Sequence, residues 1–537
     1  MRPTERPWSR HYHRAAFLLV VALAVTITLN PGSDRAGSAT LLIAHFHAGN
    51  GGKPFVGDRS NFITISPNGD GFRDAARMSF QLTRTARVTL TALVDGGRAA
   101  PPKLVSSTSE NLTAGRHRLS WTPDRDLEPR TYMLRVTVDG FVAASLVVRV
   151  LGVEAGFTKQ SYHPRDVAAL AVSSDANKLT VRLFQAGPED WPSIYSAYGN
   201  NALYGVPVGK AMHFNWSRNK SRPTNLHLRV PGGASGLYFA RIDTDDGRFG
   251  FAPFVLLPHP YGTHRVAVVF PTNTWEAYNH RDVDGNGAGD TWYSVNSIAR
   301  VDLTRPYLHK GVPTRFRGYE LGFLRWLYRS GKNVDFITDR QLDQLSAHRL
   351  HALYDLVVFL GHHEYMTTHS YNTTVGYRDL GGNLMFTSTT NFLYRAARQG
   401  RWLSRQQPWR DLGRPEAGLI GVQYLRNDGG KHQGHYLVVG ADAAPWAFRG
   451  TGLHNGSTFG HGGIEIDARS SASPRGTIVL AWMPNLQGPG YSPEMTYYST
   501  RSGAKVFAAG TLNFAGTALE PTVRPLLENV WRQLARP

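Results

Sequence analysis

The chain has no cysteine in its 537 residues. That excludes disulfides, a Cys-x-x-Cys zinc site and any thiol nucleophile. Acidic residues are scarce beside basic ones, 40 against 59, so the formal net charge is +19. An excess of that size favours polyanionic neighbours, and the expected one is an anionic cell-envelope polymer. A recognised nucleic-acid motif or basic helix is also missing, so nucleic acid is not an expected partner. What is present reads as globular: 41% of residues are hydrophobic and 18% charged. Gly and Pro are plentiful, 55 and 31, which suits β-rich modules with many turns. The length suits about two to four domains.

The N-terminus reads as a targeting segment. Arg2, Arg6, Arg10 and Arg14 precede an apolar run, Ala15–Leu29, that is short for a full membrane span. Small residues at Ala36, Gly37, Ser38 and Ala39 offer a cleavage site. The expectation is export, with residues 1–39 a cleaved signal peptide or a retained anchor, then a linker over 40–60. A first β-sandwich is expected over 61–151, because strand-like runs such as ARMSFQL, ARVTLTALV and TYMLRVTVDG alternate apolar and polar residues between turn signals. Its opening, ISPNGDGFRD, resembles the start of Ig-like modules of exported bacterial proteins and flagellar hook-cap proteins. Asn68, Asp70 and Asp74 there suit either calcium or a turn built by backbone-bonding side chains. A second β-sandwich module is expected over 152–258. Trp191, Tyr195, Tyr198 and Tyr204 within it suit sugar stacking or, more simply, covering the next domain.

The remainder, 259–537, alternates strand and helix patterns, which predicts an α/β domain with a mostly parallel sheet. Strands are expected at Arg265–Phe270, Val334–Ile337, Leu356–Leu360, Leu384–Phe386, His435–Gly440, Thr477–Trp482 and Lys505–Gly510. Helices are expected at Tyr319–Ser330, around Asp339–Leu345, and from Pro521 to Ala535. The centre of this domain is Asp355–Arg395. There the apolar run Leu356–Leu360 ends abruptly in Gly361, His362, His363, Glu364 and Tyr365, and Leu384–Phe386 leads to Asn391 and Tyr394. Open α/β sheets place their sites at such strand ends, so two neighbouring ends are expected to present a tyrosine each to one crevice. Upstream, DVDGNGAGD sets Asp282, Asp284, Asn286 and Asp290 at positions one, three, five and nine of a calcium loop, with Gly287 at the turn. Position twelve is Tyr293 rather than glutamate and flanking helices are not evident, so a solvated acidic turn is the competing reading.

The runs GHHEY, LGGNLMF and NFLYR resemble the carboxyl-terminal catalytic region of the large (beta) subunit of N,N-dimethylformamidase. VDFITDRQLD (Val334–Asp343), GIEID (Gly463–Asp467) and PTNTWEAYN (Pro271–Asn279) share that resemblance, which spans the second half of the chain from about Arg265. It implies a glutamine-amidotransferase-like fold whose thiol position is lost, and a hydrolase of a C–N amide bond in a small substrate. It also implies a mononuclear iron, with ligands falling on Tyr365, Tyr394 and Glu465. Phenolate and carboxylate are hard donors, suited to a highly charged ion. The family motif HPEY is altered, since His363 stands where the family has proline and Met366 where it has an aromatic. Arg395 likewise replaces an aromatic after Tyr394. Glu494, in SPEMTYY, is the candidate general base, with His362, His363 and His461 as alternatives. Two readings stay open: an exported metal-dependent amidohydrolase, or a non-catalytic envelope protein whose α/β domain binds a ligand and whose β-modules bind wall polymers; the alternative to iron is that Tyr365, Tyr394 and Glu465 hydrogen-bond in a metal-free crevice. Oligomeric state is not legible in the sequence.

Overall fold

The computed structural model describes residues 42–97, 100–189, 203–293 and 298–535. The expected targeting segment, residues 1–39, and three of the loop aromatics, Trp191, Tyr195 and Tyr198, lie outside the described residues. Among the described residues no helix is long and apolar enough to cross a membrane.

The N-terminal strands form two facing sheets. One has five strands in the order Phe62–Ile65, Phe141–Val150, Thr131–Val138, Ala86–Val94, Lys103–Leu112. The other has three, Ile43–Gly49, Ala76–Leu82 and Gly115–Trp121. Alternation decides which side chains meet: Ala76, Met78, Phe80 and Leu82 are buried against Ile63, Leu90, Leu134 and Val148, while Arg77 faces out. The stretch expected as linker instead begins with a paired strand, Ile43–Gly49, antiparallel to Ala76–Leu82. Its apolar residues, Ile43 and the partly buried Phe46 and Ala48, join the sandwich core. In the turn after Ile65, Asp74 accepts backbone N–H bonds from Asn68, Gly69 and Gly71, and Asp70 and Asn68 cap the same turn. These side chains are therefore committed to turn geometry.

The next strands repeat the plan. A five-stranded sheet runs Ser161–Tyr162, Phe249–Leu256, Gly236–Thr244, Lys178–Gln185, Val206–Asn215, against a three-stranded sheet of Thr224–Arg229, Val167–Ser173 and Glu154–Phe157. Arg248 ties this region to the first sandwich. Its guanidinium pairs with the buried Asp175 (2.5 Å) and with Asp246 (2.6 Å), and donates to Ser66 Oγ (2.7 Å) and the Leu151 carbonyl (3.1 Å).

The C-terminal part is built on a nine-stranded mixed sheet. Asp335–Thr338, Val266–Phe270, Leu356–Phe359, Asn383–Phe386 and Lys505–Ala508 are parallel neighbours in that order. Glu494–Ser499, Ile478–Trp482, Gln433–Val438 and Thr458–Gly463 then extend it antiparallel. The expectation of a mostly parallel sheet thus holds for its first five strands only, because the later strands are joined by hairpins and loops rather than by crossover helices. Helices are few. Those expected near 319–330 and 521–535 occupy Leu321–Arg329 and Arg524–Leu534, each with its apolar side chains buried. A second, four-stranded sheet runs Arg300–Asp302, Trp402–Pro408, Tyr394–Gln399, Tyr365–Thr367. It grows directly out of the large sheet, and the site lies where the two sheets meet.

Candidate functional site

The strand Leu356–Phe359 is wholly buried, as its unbroken apolar run requires. The chain then turns at Gly361, whose φ is +77° and whose absent Cβ would lie 2.3 Å from the Glu320 carboxylate. Only glycine fits both conditions. His362, His363 and Glu364 fill the turn, and Tyr365 opens the edge strand Tyr365–Thr367 of the smaller sheet. The neighbouring core strand Asn383–Phe386 behaves alike: a turn of Thr387–Leu393 leads into Tyr394. The two turns are stitched together, with Phe392 N–H donating to the His363 carbonyl (2.8 Å), Tyr394 N–H to the Glu364 carbonyl (2.9 Å) and His363 N–H to Asn391 Oδ1 (3.0 Å).

The stitching sets Tyr365 directly beside Tyr394 in a parallel pair. Their rings stack at 5.8 Å with planes 13° apart. Trp292 packs on Tyr365 at 4.7 Å, and the Arg405 guanidinium lies over the Tyr394 ring at 5.2 Å. Burial, then the nearby Glu364 charge, pushes the Tyr365 phenol well above its usual acidity range, and burial raises Tyr394 too.

Glu465 arrives on a distant short strand, Glu465–Ala468, that pairs antiparallel with Gln423–Asn427. Its carboxylate accepts from Thr390 Oγ1 (2.7 Å) and Asn427 Nδ2 (2.6 Å), and lies 3.8 Å from His362 Nε2. His362 donates from Nδ1 to the Thr389 carbonyl (2.9 Å), and its Nε2 meets Glu364 Oε2 at 3.2 Å. Burial opposes a charge on this imidazole, but Glu465 and then Glu364 outweigh it and push its pKa up to about 9. His363 points elsewhere, between Asp339 (3.1 Å) and the Val269 carbonyl (3.1 Å), and serves the fold.

Three non-glycine residues close in sequence to Tyr394 and Glu465 hold positive φ: Thr390 (56°), Phe392 (60°) and Ile464 (70°). A β-branched residue such as Ile464 adopts that region only where its surroundings impose it, and such strain concentrates at functional sites. Asp467 anchors the turn by accepting from Thr389 Oγ1 and from Thr390 N–H (3.0 Å), and burial pushes its carboxyl up to about 7.

Two expected residues stand apart from the cluster. Glu494 is taken up by Arg469, through the backbone N–H (2.9 Å) and two guanidinium bonds (3.0 and 3.2 Å). His461 is half-exposed and pairs with Glu520 at 2.9 Å. Tyr278 was not foreseen. Its hydroxyl donates to Glu364 and lies 3.3 Å from His362 Nε2. The signal was available, since Tyr278 is the one tyrosine in PTNTWEAYN.

The acidic loop is a separate centre. Carboxylate oxygens of Asp282, Asp284 and Asp290 lie within 4.8 Å of one another. Asp282 accepts from Gly285 N–H (2.7 Å) and Gly287 N–H (2.8 Å), and Asp290 from Val283 N–H (2.7 Å). Asn286 Oδ1 accepts from Ala288 N–H (2.7 Å), within the loop itself. The loop rests on the first sandwich: Arg59 donates to the Asp284 carbonyl (2.7 Å), Gly289 N–H to Asp95 (3.0 Å), and Gly285 lies against Phe62.

Among solved structures the chain is similar to an immunoglobulin-like protein from Pseudomonas aeruginosa (12% identity, 20% of this chain and 96% of that one, TM-score 0.14). It is also similar to the adhesin InvE of Yersinia pseudotuberculosis (15% identity, 36% and 56%, TM-score 0.14) and to Salmonella alpha-2-macroglobulin reacted with methylamine (10% identity, 40% and 17%, TM-score 0.21). No curated protein matches. A family model described as N,N-dimethylformamidase beta subunit-like, C-terminal, matches residues 207–407 and 394–523. The match starts on the strand Val206–Asn215, well before Arg265, so it takes in much of the second β-module as well as both tyrosine turns and the Glu465 strand. With more than half of its length matched, and the site inside the matched part, the chain belongs to the N,N-dimethylformamidase beta subunit-like family.

Proposed function

We propose that this chain is a hydrolase of a C–N amide bond, of the N,N-dimethylformamidase type, acting on a small amide with one iron held by Tyr365, Tyr394 and Glu465. The observation that carries the reading is the in-register, stacked pair Tyr365–Tyr394, joined through Tyr278, Glu364 and His362 to Glu465. The donors suit the ion, being two phenols and a carboxylate, all hard oxygen ligands. Their burial suits it too: a buried phenol stays neutral unless a cation compensates its charge. Three protein ligands leave coordination positions for water and substrate. When bound, such an ion supplies a Lewis acid for the amide carbonyl or for water.

The chain's own residues do the rest. The His362 Nε2 proton sits between the Glu364 and Glu465 carboxylates and screens their like charges. The Tyr278 and Trp292 rings pack on Tyr365, and Tyr293 packs behind Tyr278. Hydrolysis adds water across the C–N bond and yields an acid and an amine. Glu494, the candidate base, is paired with Arg469 at 3.0 Å.

The proposal extends to an amidotransferase-like ancestry of the five parallel strands, to export by residues 1–39, and to calcium in the Asp282–Asp290 loop. A non-catalytic role in binding an anionic envelope polymer is the second reading, favoured by the net charge of +19. Metal analysis and the visible spectrum of the purified protein separate the two. Stoichiometric iron with a tyrosinate-to-iron band supports the hydrolase. A colourless, iron-free protein that cannot be loaded with iron overturns it.

A further inference from the structure

Tyr278 follows the short helix Thr272–Ala277, and the chain returns to grip that point. Thr291 Oγ1 and Trp292 N–H both donate to the Ala277 carbonyl, at 2.8 and 2.9 Å. Thr314 Oγ1 donates to the Tyr278 carbonyl at 3.1 Å. The ring is held as firmly: it stacks on His362 at 5.7 Å, meets Tyr365 edge-on at 6.1 Å and packs on Tyr293 at 5.1 Å. Its hydroxyl donates to Glu364 and faces His362 Nε2. A phenol carries one hydrogen and two lone pairs, so one hydroxyl can join these groups at once. Buried polar groups are costly without partners, which makes a central hydroxyl of this kind a constraint on all the others.

We propose that Tyr278 is a positioning residue, whose hydroxyl holds the Glu364 carboxylate, next to Tyr365 in the chain, in the place that iron binding at the tyrosine pair requires. The inference rests on the iron reading above. It adds a residue from the start of the domain, outside the three ligand positions. Partners of this kind, outside a metal's own ligands, fix ligand direction as firmly as ring packing does.

The test compares Tyr278→Phe with the parent in the full-length protein. Metal-free protein is titrated with ferrous iron and air-oxidised, and affinity and the visible tyrosinate-to-iron band are recorded. Tyr278→Phe keeps the ring, so far-UV and near-UV circular dichroism stay parental. Iron affinity falls about 10- to 100-fold, and the band shifts in energy, a change that a merely packed ring would not produce. Parental affinity with a parental band overturns the proposal. Where Tyr278→Phe does not keep the parental circular dichroism, Glu364→Gln replaces it, since it weakens the same hydrogen bond from the other side. Parental iron binding in that variant overturns the proposal as well. Tyr365→Phe is run in parallel: if it too retains iron, the iron reading has failed; if it alone loses iron, only the role of Tyr278 has.

Discussion

The protein carries two oxygen-rich centres built in opposite ways. The Asp282–Asp290 loop takes its carboxylates from nine consecutive residues, and much of their hydrogen-bonding capacity is already spent on the loop's own N–H groups. The Tyr365–Tyr394–Glu465 centre takes its groups from three distant segments. It packs them under aromatic rings, and burial raises both phenols even though the Arg405 guanidinium lies over the Tyr394 ring. A contiguous loop holds its shape by local backbone bonds, so an ion there adds stability to a turn that already exists. A dispersed centre has no local bonds to hold it, so its geometry is inherited from the sheets that deliver each residue. An ion there meets phenols that burial otherwise keeps neutral.

Four experiments bear on that contrast. The largest effect belongs to Tyr365→Phe, which preserves the ring stacked between Trp292 and Tyr394. Iron and visible colour are lost while the melting temperature of metal-free protein stays close to parental, and Glu465→Gln behaves alike because an amide oxygen is a poor ligand for a hard ion. Unchanged iron content in either variant would remove the distinction between the two centres. Next comes Gly361→Ala, which places a Cβ at φ +77° against the buried Glu320. It is expected to cost about 2–4 kcal/mol in urea denaturation, from left-handed strain and overpacking, and to weaken iron binding by shifting Tyr365. A neutral result would mean that the turn does not govern the site.

Calcium is the third lever. At a concentration 100-fold above its dissociation constant it should stabilise the fold by about 2.7 kcal/mol. Asp282→Asn should abolish that gain and leave iron content untouched. A melting temperature indifferent to calcium would reduce the loop to a structural turn docked on the first sandwich. The smallest effect is expected from Glu494→Gln. With its carboxylate held by Arg469 and its side chain away from the tyrosines, iron content and spectrum should match the parent. A changed spectrum would mean that the Glu465 strand and the Glu494 strand are coupled.

Much of this was legible beforehand where the pattern was local. Buried strands such as Leu356–Phe359 announce themselves because both faces are covered, which demands an unbroken apolar run. The alternation of ARMSFQL predicts a half-buried strand for the same kind of reason. The strand Ile43–Gly49 was missed because its two histidines and terminal glycine mask the alternation, and only its partner Ala76–Leu82 makes it a strand. The antiparallel half of the large sheet was missed because single strands do not state the direction of their neighbours. Tyr278 was passed over because the partners of its hydroxyl and the Tyr365 ring it meets lie 84 to 87 residues away.

The sequence by itself determined the chemistry available. It carries no thiol, an excess of positive charge, an acidic nine-residue loop, and tyrosines following two buried strands. These are properties of composition and of short-range pattern, and folding cannot change them. Tertiary structure decided how these groups meet and which others join them. It set Tyr365 opposite Tyr394 by stitching two turns together, brought Glu465 beside His362 from a remote strand, and drew Glu494 and His461 away to Arg469 and Glu520. The physical reason is that hydrogen-bond pairing and burial act over a few ångströms of space, regardless of how many residues of chain lie between.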